Sequence, residues 1–135
     1  DDPHYMRLTQ SIRSVSAVTG ACLLTSKDVY RRVQGLNSEH LAVAYNDVDY
    51  CLKLRECGLQ VVYDPYAEFI HHESVSRGKE DTPEKKDRLR GEQNHMRERW
   101  GHVLARDPAY NPNLTTRSTD YRLSDEPKKH LINAV

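Results

Sequence analysis

Residues 45–58, YNDVDYCLKLRECG, decide the fold. Asn46 or Asp47 can accept the free amide hydrogens of a first helical turn, and Val48, Cys51, Leu52 and Cys57 recur at roughly helical spacing. Gly58 suits a left-handed cap at the far end. The stretch therefore predicts one helix with an apolar face and an acidic start. Downstream, residues 59–63 (LQVVY) and 67–71 (AEFIH) are two short strand candidates, separated by Asp64, Pro65 and Tyr66, where proline forbids one continuous central strand. Upstream, residues 15–25 (VSAVTGACLLT) suit a buried strand with a kink or close backbone approach at Gly20. Ser26 can then cap a short helix over residues 27–33 that stops near Gly35. Strands alternating with helices give an α/β arrangement.

The outer regions differ in character. Residues 1–14 are polar and read as a lead-in, and residues 36–45 carry no clear periodicity. From Thr82 to Trp100 the chain is densely charged, with Thr82 as cap, Pro83 in the first turn, and Leu89, Met96 and Trp100 as a narrow apolar stripe. Residues 107–113 (DPAYNPN) must turn, and the remainder to residue 135 reads as loop and extended tail. At 135 residues there is room for one domain, its core drawn mainly from residues 15–72.

Twenty basic and twenty acidic residues cancel, which argues against a nucleic-acid grip built on an overall basic surface. Nothing in the sequence approaches the length of a membrane span or resembles a signal peptide, so a soluble, unexported chain is expected. Three cysteines in hydrophobic settings suggest buried, reduced thiols.

The residues able to carry chemistry gather in two places, Asn46-Asp47-Val48-Asp49 and the run from His71 and His72 to Arg77 and Gly78. Asp47 and Asp49 lie about 200° apart around a helix axis, so they serve different ends. A placed aspartate can take the proton of an attacking hydroxyl, a histidine at a strand end can ligate a divalent metal, and an arginine beside glycine can hold diphosphate oxygens. Each also has a plain structural reading. Asp47 can be a helix cap, Asp49 with Lys53 a solvated i to i+4 pair, one of the two histidines a core residue, and Arg77 an exposed side chain.

The ordered set TGACLL (19–24), GLNSEHLAVAYNDVDYCLKLRECG (35–58), YDPYAEFIHHESVSRG (63–78), RW (99–100) and DPAYNPNL (107–114) resembles the carboxy-terminal half of bacterial glycosyltransferase family 2 enzymes, notably those of O-antigen and surface polysaccharide assembly. The likeness covers residues 15–114. It implies a partial GT-A fold: the acceptor-side half spans residues 15–105, with few strands packed against helices and no amino-terminal nucleotide-binding half. By position, the resemblance makes Asp47 the catalytic base and His71 the histidine that approaches the metal, with His72 a weaker alternative. It puts Gly20, Ala21, Asp49, Arg77 and Trp100 against substrate, Arg77 on the donor diphosphate. Met96 stands where processive relatives carry glutamine, which implies transfer of a single sugar; Asn37-Ser38-Glu39 replaces the common Asp-Glu-Glu.

The implied reaction is an inverting transfer from a nucleotide-sugar donor to a glycan or lipid-linked acceptor, with Mg²⁺ or Mn²⁺ as cofactor and a cytoplasmic or peripheral inner-membrane location. The 135-residue chain alone is expected to be inactive and to self-associate through the surface meant for its missing half. A non-catalytic carbohydrate- or partner-binding module is the main alternative. A small metal-dependent hydrolase using His71, His72 and Asp47 ranks last.

Overall fold

The computed structural model describes residues 5–71, 82–118 and 121–125. Among them are two short strands, β1 (Arg13–Val15) and β2 (Val61–Tyr63), and three α-helices, α1 (Lys27–Arg32), α2 (Asn46–Glu56) and α3 (Pro83–Ala105). Short 3-10 helices cover Tyr5–Gln10 and Gly20–Cys22. This mixture of helices and a small sheet agrees with the α/β expectation at that general level.

The strands pair antiparallel, Arg13 opposite Tyr63, Ser14 opposite Val62 and Val15 opposite Val61. The Arg13 guanidinium lies 5.6 Å from the centre of the Tyr63 ring across that register, a cation–π contact on one sheet face. Such a small ladder is marginal in water by itself. What holds it is burial against α2: Val15 and Val61 join Val33, Tyr50, Cys51 and Leu54 in one core cluster. Burying a side chain of this size stabilises by about 1.5–3 kcal/mol. Arg55 then fastens the end of α2 to β1, donating to the Val15 carbonyl at 3.0 Å.

The other flank of α2 packs on α3. Leu52 meets Leu41, Met96 and Trp100 in a second cluster, so α2 is buried on two sides. Thr82 opens α3 as expected, its hydroxyl accepting from Lys85 N at 3.4 Å with Pro83 in the first turn. That same turn holds the Glu84 carboxyl below the usual carboxylate range, through its own backbone N–H and the Thr82 hydroxyl. The inward stripe of α3 is Glu92, Met96 and Trp100, all buried, while Leu89 is half-buried. Beyond α3, Ser16 donates to Asp107, and Leu114 bridges Leu123, so part of the expected tail folds back on itself.

Three expectations change. The strand read over residues 15–25 stops at Val15, because the backbone turns at Gly20–Cys22 and the Gly20 N–H goes to Asp47 rather than to a ladder. Residues 67–71 form no strand, and Phe69 and Ile70 stand 72% and 86% exposed; no strand among the described residues pairs with them. Of the three thiols only Cys51 is buried, while Cys22 lies in the exposed 3-10 turn and Cys57 just past the end of α2. Ser26 and Gly58 behave as read: Ser26 accepts from Val29 N at 3.3 Å, and Gly58 has φ +74°. No described helix is long and apolar enough to cross a membrane.

Candidate active site

Asp47 stands in the first turn of α2, where backbone N–H groups point outward and favour negative charge. Its Oδ2 accepts the Gly20 N–H at 2.8 Å and its Oδ1 accepts the Val48 N–H at 2.8 Å. Both oxygens are thus oriented, one by its own helix and one by the 3-10 turn across from it. A carboxylate oxygen offers two lone pairs, so each keeps a site for a further donor. The fit at Gly20 is close: a Cβ there would lie 3.2 Å from the Asp47 Cβ.

The approach to α2 departs from the cap expected at Asn46 or Asp47, both of which lie inside the helix. Tyr45, its N-cap residue, has φ 63° and ψ 3° and gives no side-chain cap. A non-glycine residue in the left-handed region persists only when its surroundings hold it there. Just before it, Glu92 of α3 accepts from Val43 N at 2.9 Å with one oxygen and from Ala44 N at 3.2 Å with the other. The Gln93 amide adds a bond to the Tyr45 hydroxyl at 3.3 Å.

Asp47 faces an open pocket of about 690 Å³ whose lining includes Gly20, Ala21, Tyr45, Tyr50 and His71. The Tyr50 hydroxyl donates to Thr25 Oγ1 at 2.9 Å and fixes one wall. Four of the residues singled out from the sequence, Gly20, Ala21, Asp47 and His71, therefore share one concavity. Asp49 and Trp100 do not join them. Each is buried, at 0% and 1% exposure, and the indole Nε1–H donates to Asp49 Oδ1 at 2.8 Å. Lys53 Nζ at 3.4 Å and Arg99 Nε at 3.8 Å balance the Asp49 charge. The pair expected at substrate is inside the protein, where it joins α2 to α3, and in the i to i+4 pair of Asp49 with Lys53 the carboxylate is buried and the lysine half-buried. Arg77 and His72 lie outside the described residues.

No group of three His, Cys, Asp or Glu side chains placed to hold a metal occurs among the described residues. In the pocket that Asp47 faces, the expected Mg²⁺ or Mn²⁺ finds Asp47 and His71, short of a coordination set. Glu92 and Tyr45 escaped the sequence reading. Their signal was weak: one carboxylate among many on a charged helix, and a tyrosine in a stretch without periodicity.

No family model matches the chain, and no solved structure matches it. It is 49% identical over 112 residues to an uncharacterized Sinorhizobium fredii protein, y4gI, covering 83% of this chain and 12% of that one. It is 33% identical over 120 residues to the O-antigen biosynthesis protein RfbC of Myxococcus xanthus, covering 89% of this chain and 9% of the relative. It is 34% identical over 74 residues to an N-acetylglucosaminyl-diphospho-decaprenol L-rhamnosyltransferase of Mycobacterium tuberculosis, covering 55% of this chain and 24% of the relative. The chain thus spans a quarter or less of the length of each of these relatives.

Proposed function

We propose that this chain is the acceptor-side, base-bearing part of an inverting glycosyltransferase of the family 2, GT-A type, working in polysaccharide assembly. The observation that carries this is the Asp47 carboxylate, held by two backbone N–H groups at the mouth of α2 and facing a pocket shared with Gly20, Ala21 and His71. The names of the rhamnosyltransferase and O-antigen relatives support the reaction class.

Asp47 takes the proton of the acceptor hydroxyl as that oxygen bonds to the anomeric carbon of a nucleotide sugar. The bond from that carbon to the diphosphate breaks, the nucleotide diphosphate leaves with the electron pair, and the configuration inverts. General-base help of this kind is worth about 10²- to 10⁴-fold in rate. Gly20 and Ala21 let backbone approach the sugar, and Arg77 binds the donor diphosphate. The nucleotide-binding part and most ligands of the Mg²⁺ or Mn²⁺ ion belong to the remainder of the protein, His71 being this chain's contribution. Leu24, Phe69 and Ile70, all largely exposed, are surface for that remainder to cover.

The test is product stereochemistry. The intact protein, given nucleotide sugars and a lipid-linked glycan acceptor, should form a glycoside of inverted anomeric configuration by NMR, and the 135-residue chain alone should form none. A product of retained configuration, or transfer by the isolated chain, would refute the proposal.

A further inference from the structure

The position of Asp47 depends on how α2 begins, and α2 begins without a side-chain cap on a residue held left-handed. Something outside the helix has to fix that geometry. Glu92 is the main candidate by chemistry. Its side chain is 3% exposed, and a buried carboxylate is costly unless its oxygens are hydrogen-bonded. Both oxygens are used on the loop: they take the consecutive N–H groups of Val43 and Ala44, two and one residues before Tyr45. The ion pair of Glu92 with Arg88, at 3.8 Å, is longer than either of these bonds. On the far side Asp47 closes the arrangement by accepting the Gly20 N–H.

From this geometry we infer that Glu92 is a positioning residue for Asp47: its two-armed grip on Val43 and Ala44 sets Tyr45 and thereby the aim of the Asp47 carboxylate into the pocket. The inference rests on the transferase reading above and assigns a role within that site to a side chain on α3 that does not line the pocket itself. Small misplacements of a reacting group are costly in rate, about 10²-fold for 1 Å. Gln at position 92 would keep the volume but put an amide N–H₂ opposite one of the two backbone N–H groups, so one arm of the grip opens.

The experiment uses Glu92→Gln in the intact protein, read three ways: hydrogen exchange over residues 41–47, kcat and acceptor KM, and thermal midpoint. Val61→Ala serves as a control that loosens the β2 side of the core without touching the loop. Glu92→Gln should speed exchange at Val43 and Ala44 and lower kcat by about tenfold or more, with acceptor KM changed less than about threefold. Val61→Ala should lower the midpoint and leave kcat at the wild-type value below its transition. Unchanged exchange in Glu92→Gln, or a kcat no lower than that of Val61→Ala, overturns the inference. Asp47→Asn in parallel separates the two failures. If it abolishes turnover while Glu92→Gln does not, the role of Glu92 fails alone; if it leaves turnover intact, the transferase reading fails and the inference with it.

Discussion

Replacing Asp49 by alanine should be among the most damaging single changes to the fold. The side chain is fully buried and accepts the indole N–H of Trp100 at 2.8 Å. Its loss strands a buried donor, at about 1–3 kcal/mol. It also removes the counter-charge of Lys53, whose own side chain is only 12% exposed, and the more distant partner of Arg99. Lys53 keeps the Gly35 carbonyl and Arg99 keeps the Trp100 ring at 4.8 Å, so those cations are not left bare. Because neither cation is left bare, the cost stays below the about 3–5 kcal/mol of a buried charge stripped of its partner and falls at about 2–3 kcal/mol, against a typical total stability of about 5–15 kcal/mol. Asp49→Asn keeps an acceptor for the indole and should cost less, about 1–2 kcal/mol. Urea unfolding followed by far-ultraviolet circular dichroism measures these values, and a double-mutant cycle with Trp100→Phe should show a coupling of at least about 1 kcal/mol. An Asp49→Ala cost under about 1 kcal/mol, or additive behaviour in the cycle, would refute the reasoning.

Gly20→Ala brings a methyl group to 3.2 Å from the Asp47 Cβ; in the intact protein kcat should fall by roughly tenfold with little loss of stability, and an unchanged kcat would show that the contact does not set the carboxylate. Gly35 and Gly58 both have positive φ, but a Cβ at Gly35 would meet the Tyr30 ring at 2.6 Å whereas nothing lies near Gly58. Gly58→Ala should therefore cost about 1–2 kcal/mol and Gly35→Ala about 1–3 kcal/mol more, ranked by urea midpoints; equal costs would contradict the geometry. Burial pushes the Cys51 thiol up from its ordinary value, partly offset by its contact with the Val18 carbonyl and reinforced by the Asp47 charge. Ellman's reagent should accordingly modify Cys22 and Cys57 rapidly and Cys51 only on unfolding, so three fast thiols would count against the fold around α2.

Features encoded by neighbours in sequence are legible from the sequence itself. Ser26 and Thr82 as caps, Pro83 in the first turn of α3 and Gly58 after α2 act within one helical turn of themselves, so local residue chemistry suffices to find them. The contacts that place Asp47 are different in kind. Glu92 reaches across 48 and 49 residues to the loop, and Asp49 meets Trp100 across 51. No periodicity reveals which carboxylate of a charged helix turns inward. The apolar run 15–25 misled for the opposite reason: it has strand composition, yet the Gly20 amide goes to Asp47 rather than to a ladder, and Leu24 stands fully exposed. Gly20, Ala21, Asp47 and His71 could be nominated from sequence, but their meeting in one pocket is a property of the tertiary fold.

The central claim is that the Asp47 carboxylate removes the acceptor proton, and Asp47→Asn in the intact protein tests it most directly. Asparagine keeps the size of the side chain and an oxygen to accept the Gly20 N–H, but gives up the basic oxygen. Turnover measured alongside nucleotide-sugar affinity should fall by about 10²- to 10⁴-fold with affinity nearly unchanged. Turnover within a few-fold of wild type would contradict the account.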